Sequence, residues 1–217
     1  MIASLRAVAL GAALAFTTAC ASATYGVLEQ FGVEKRDILV DRVDDARDAQ
    51  EDASEEFQNA LEAFRAVVDV DGGDLEKLYD RLDGEYAASE SAAKRVRDRI
   101  GDVNRVARDL FREWRGELDQ YSDPSLRQIS ADRLAETEVR YDDLITRMEA
   151  ASASMDPVLA VFSDRVLFLK HNLNASAIAA LDREKARIEG DVSELIAEMQ
   201  ASIAAADAFI ADMRGPS

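Results

Sequence analysis

Residues 39–67 read LVDRVDDARDAQEDASEEFQNALEAFRAV, and the spacing of their apolar side chains decides the fold. Leu39, Val43, Ala46, Gln50, Ala53, Phe57, Ala60, Phe64 and Val67 follow one another at intervals of four and three. On a helix of 3.6 residues per turn, those intervals keep the side chains on one narrow seam. The stretch therefore predicts a long helix that packs lengthwise against others. A half-buried strand would need alternation with period two, which no segment sustains.

The pattern returns three more times. The second line holds Leu82, Tyr86, Ser89, Ala93, Val96, Ile100, Val103, Ala107, Leu110 and Trp114, and ends near Tyr121. The third runs Leu134, Glu138, Tyr141, Ile145, Met148, Ser152, Met155, Leu159, Phe162, Val166, Leu169. Pro157 lies inside it, but the stripe stays in phase, so a kink is expected there rather than two helices. The fourth follows Asn174 through Leu181, Lys185, Ile188, Val192, Leu195 and Met199 to Ile210 and Met213. Trp114 and Tyr121 are expected in the seam, and Gln50 and Lys185 would be polar core residues that fix helix register.

Short punctuation separates the lines. In Asp71-Gly72-Gly73-Asp74 the glycines suit a helix C-terminus and Asp74 an N-cap; Ser122-Asp123-Pro124 places proline at a first helical position; Asn174 is a further N-cap. Connections this short make successive helices run antiparallel. The expected fold is all-α: an elongated antiparallel four-helix bundle or coiled coil, one domain over residues 25–217. A run of about 45 residues would reach roughly 65 Å. The turns at 71–74 and 172–174 would then form a tip remote from the start of the first helix.

Composition narrows the function classes. The 217 residues include 26 Lys+Arg, 43 Asp+Glu, three prolines, one cysteine and one histidine, for a net charge of −17. That charge argues against an extended nucleic-acid surface, which needs clustered Lys and Arg. A single cysteine provides neither a disulfide framework nor a Cys-rich zinc site.

The N-terminus carries an address. In MIASLRAVALGAALAFTTAC, Arg6 precedes an apolar run from Ala7 to Phe16, and small residues lead to Cys20. These are the three regions of an export signal, and the run is too short to span a bilayer. Thr17-Thr18-Ala19-Cys20 resembles a lipobox, although Thr17 stands where that pattern usually has Leu. The reading is a lipoprotein signal over 1–19, then an acylated Cys20 and short tether over 20–24. Several acyl chains on Cys20 would hold the body to lipid without a membrane-spanning helix. Ala21 lacks the Asp associated with inner-membrane retention, which favours the outer membrane with the body facing the periplasm. The alternative is an ordinary signal cleaved after Ala19 or Ala23, with Cys20 incidental.

Two stretches, GVEKRDILVDRV over 32–43 and FLKHNLNA over 168–175, together with the signal, resemble a bacterial domain-of-unknown-function family, number 2959. The resemblance covers about Tyr25 to Met213 and implies a helical, exported envelope protein. It transfers no catalytic residues. A nucleotide-driven role would need a G-x-x-x-x-G-K-[ST] loop, which the chain lacks.

Two groups of residues stand out as candidate sites. Asp37, Asp41, Asp44, Asp48, Glu51 and Glu55 repeat at intervals of four and three, displaced by about 200° from the apolar line. They form an acidic face that is a solvated surface, a partner surface or an oxygen-ligand cation site; a straight row lacks the converging loop of a cation cage. Lys170, His171, Asn172 and Asn174 are either a helix cap and turn or an interaction tip. One histidine cannot supply the two Glu-x-x-His motifs of a carboxylate-bridged di-iron bundle, and no cofactor is expected. The functional expectation is a non-enzymatic periplasmic scaffold or adaptor, partnered by an envelope protein or by itself. The competing readings are a membrane-shaping or lipid-binding helical module and, less favoured, a metal-dependent enzyme.

Overall fold

The computed structural model describes residues 35–70 and 74–215; the signal, Cys20, the tether, residues 25–34 and the Gly72-Gly73 turn lie outside the described residues. From Lys35 onward the chain is one compact unit. It holds four long helices and a short one: α1 Lys35–Val68, α2 Leu75–Glu117, α3 Pro124–His171, α4 Ala175–Asp182 and α5 Lys185–Arg214. A single 3₁₀ turn, Leu118–Gln120, follows α2. No strand occurs among the described residues.

The helix starts are set by the residues their side chains cap. Asp123 accepts from the Ser125 amide at 2.8 Å and precedes Pro124, whose missing N–H is no loss at a first helical position. Asn174 accepts from the Ser176 and Ala177 amides, both at 3.1 Å. Asp74 accepts from the Lys77 amide at 3.4 Å. Each satisfies a donor that the first turn would otherwise leave unpaired.

The long helices form an all-α bundle in which each packs on two others: α1 on α2 and α5, and α3 on α2 and α5. Cross-helix pairs climb one helix as they descend its neighbour. On α1 and α2 these are Lys35–Glu113, Asp45–Arg99 and Glu56–Ser89; on α2 and α3, Trp114–Ser130, Asn104–Tyr141 and Arg97–Asp156. On α3 and α5 they are Arg140–Asp212, Ser154–Glu198 and, at the α4–α5 junction, Arg165–Glu184; on α1 and α5, Arg47–Asp207, Gln50–Ser202 and Arg65–Glu189.

The seam residues fill the interior. Leu39, Val43, Phe57 and Phe64 from α1, Leu82, Val96 and Val103 from α2, Met148 and Phe162 from α3, and Ile188, Leu195 and Met199 from α5 are closed to solvent. The apolar core described lies wholly between Ile38 and Met213. Fully burying such side chains contributes about 1.5–3 kcal/mol each before the entropy of ordering is set against it.

Three expectations need correction. The fourth line is not one helix: the chain turns at Arg183-Glu184, separating α4 from α5. The turn is tied from another helix: Arg165 reaches across from α3 to Glu184, and Glu184 also pairs with Arg187. Tyr121 does not enter the seam; it follows the 3₁₀ turn, beyond the end of α2, and is 42% exposed. Lys185 is not buried against Gln50 but pairs with Asp69 at 2.7 Å on the rim. Pro157, by contrast, is carried within an unbroken α3.

Candidate functional site

On α1 the six acidic residues lie outside the core, Asp44 half-buried and the other five exposed. Midway along the row, Arg47 bonds Asp44 at 2.8 Å and Asp48 at 2.6 Å, and reaches Asp207 on α5 at 3.1 Å. The Asp48 hydrogen bond, with help from Asp207 and Asp44, holds this guanidinium protonated well above its ordinary range. A cation of the chain itself thus occupies the middle of the stripe. Successive turns separate carboxylates by about 5.4 Å along a helix axis, so they face outward in file rather than inward on a point. Among the described residues no three His, Cys, Asp or Glu side chains converge as metal ligands would.

At the far end of α3 the tip residues come together as a cap. Lys170 and His171 are exposed in the last turn, where positive charge suits the helix macrodipole. The Asn172 side chain donates to the Phe168 carbonyl at 2.9 Å, and its backbone N–H donates to Leu169. Asn174 is engaged as the N-cap of α4. Both asparagines therefore hold the turn, while Lys170 and His171 face solvent.

Around them lie residues that periodicity did not single out. Leu167, Phe168 and Leu173 are 60%, 40% and 37% exposed. The legible signal was that Leu167 and Phe168 stand off the line Phe162, Val166, Leu169, which is already filled. Arg165 is nearly enclosed beside them and pairs with Glu184, whose carboxyl is held below its ordinary range chiefly by that hydrogen bond. Two open grooves flank α3. One, against α2, is lined by Tyr86, Lys94, Arg97, Asp156 and Ser163; the other, against α5, by Pro157, Val161, Arg187, Asp191 and Glu194. Arg97–Asp156 crosses the first at 3.0 Å, and Arg187–Asp191 takes up charge beside the second at 3.1 Å.

At the opposite end, the Trp114 indole donates to Ser130 at 2.8 Å, and Tyr141 donates to Asn104 at 2.6 Å while packing edge-on to Phe111. These polar atoms lock α2 to α3. Cys20 lies outside the described residues. No described helix is long and apolar enough to cross a membrane. Comparison with curated proteins finds no match, and neither does comparison with solved structures. The model of a family described as "Protein of unknown function (DUF2959)" matches residues 24–213, which include both stretches singled out in the sequence, and the chain belongs to that family.

Proposed function

We propose that this chain is a lipid-anchored periplasmic protein of the bacterial outer membrane that acts as a non-enzymatic scaffold or adaptor. The observation that carries the reading is a sequence with the pattern of an export signal ending at the single Cys20, followed by a helical body in which Asn174, Arg47 and Arg165 are engaged in a cap and ion pairs. Acylated at Cys20, the body would be held at the membrane with its helices available to another envelope component.

In-cell crosslinking with mass spectrometry tests this on the native chain and a Cys20→Ala version. The expected result is a specific envelope partner, or a second copy, captured by the anchored form and lost from the unanchored one. Identical crosslinks for both versions would refute the anchored reading. Turnover of a small molecule by the purified body would refute the non-enzymatic one.

A further inference from the structure

The end of the body formed by the last turns of α1 and α3, the short α4 and the first turns of α2 carries unpaired charge of both signs and exposed apolar side chains. That α2 begins where α3 ends follows from the Tyr86 contact with Ser163. Leu167, Phe168 and Leu173 are the exposed apolar side chains there. Several charges at this end are paired: Arg165 and Arg187 meet Glu184, Lys185 meets Asp69, and Lys77 meets Asp74, whereas Asp83 and Asp182 have no ion-pair partner among the described residues. Lys170 in α3 and Arg183 at the α4–α5 turn have no ion-pair partner among the described residues, nor do Glu76 and Asp80 in the first turns of α2. Residues 165–187 hold five Lys+Arg against two Asp+Glu in a chain whose net charge is −17.

We propose that this end is a self-complementary contact on which a second copy of the chain docks about a two-fold axis. Leu167, Phe168 and Leu173 cover their counterparts, and Lys170 and Arg183 of each copy face Glu76 and Asp80 of the other. A two-fold contact uses one patch twice, so a surface with both signs beside an apolar centre satisfies itself. Side-by-side association would set acidic α1 faces against other acidic surface. An end contact keeps them apart by more than the screening length of about 8–10 Å at physiological salt. An anionic lipid surface fits less well, because Glu76, Asp80 and Asp83 share the end with the two cations. The inference deepens the scaffold reading by naming the partner, and rests on that reading for its setting in the envelope but not for the contact itself.

The test is sedimentation velocity on residues 21–217, which hold the whole described core and lack the thiol that could crosslink copies. A dimer should grow in from micromolar to sub-millimolar concentration. Leu167→Ser with Phe168→Ser should weaken it by about tenfold or more, the scale of losing two apolar anchors. Lys170→Glu with Arg183→Glu should dissociate it, as should Glu76→Lys with Asp80→Lys, while a mixture of these two charge-reversed chains should re-form a dimer. All six positions are at the surface or half-exposed beside it, and unchanged helicity and melting would show that each variant is folded. A body that stays monomeric, or a dimer indifferent to these changes, overturns the proposal. So does a monomer that binds phosphatidylglycerol vesicles through Lys170 and Arg183. Failure of the anchor reading would appear only in the cellular crosslinks and would leave this dimer intact.

Discussion

Gln50 is wholly buried on α1, and its side-chain oxygen accepts from the Ser202 hydroxyl of α5 at 3.0 Å while its amide nitrogen finds no partner. An unsatisfied buried donor costs about 1–3 kcal/mol, more than the bond to Ser202 returns. Gln50→Leu combined with Ser202→Ala should therefore stabilise the body by roughly 1–2 kcal/mol in urea unfolding; a loss of stability would mean that the pair contributes more than register. Tyr141 is a second buried polar group with a measurable signature. Burial, and secondarily the Glu149 and Asp142 charges, push its phenol up to about 12. A raised phenol keeps its proton in the fold after the unfolded chain has lost it near pH 10. Stability is then complete below pH 10 and falls between about 10 and 12, by on the order of 2 kcal/mol. Tyr141→Phe should remove that alkaline loss, read from urea unfolding at pH 9 and pH 11. Position Gln50 was legible as a polar core residue, since it interrupts an apolar line. Its partner was not, because Lys185 lies on the same kind of line and only the offset between α1 and α5 brings Ser202 opposite.

Pro157 shows how an element can override a residue's preference. It removes one donor from the interior of α3, yet Met155, Val158 and Leu159 on either side are all buried. The packed seam holds the helix together across the missing bond. Pro157→Ala should restore the donor and raise stability by about 1–3 kcal/mol in chemical denaturation; a neutral result would mean that the backbone has fully relaxed around the ring. The caps behave conversely. Asn174→Ala should cost about 1 kcal/mol and loosen the turn after His171, visible as faster amide exchange at Ser176 and Ala177. Helix starts were readable because Asp74, Asp123 and Asn174 act within three residues of themselves. The break between α4 and α5 was not, because it answers to Arg165, nineteen residues before Glu184 in sequence.

For the molecule as a whole, the acidic face and the net charge of −17 raise the question of whether cations bind it or merely screen it. Arg47 within the stripe, and carboxylates in file along α1, point to screening. Calcium and sodium chloride at matched ionic strength should then shift the melting temperature equally, and a larger shift with calcium at low concentration would reveal a bound ion. Sequence alone determined the class and the seams, because a period near 3.5 residues has one structural reading and each cap is a local event. It also supplied the family through the words around Asp37 and His171, and the reading of residues 1–20 as an export signal on which the functional proposal rests. Only the tertiary structure decided which charges are neutralised and which remain unpaired, and which apolar residues outside the seam stay exposed. Those outcomes depend on the angular offset between helices distant in the chain. The apolar period of a single helix fixes which face turns inward and leaves the neighbour's polar groups undetermined.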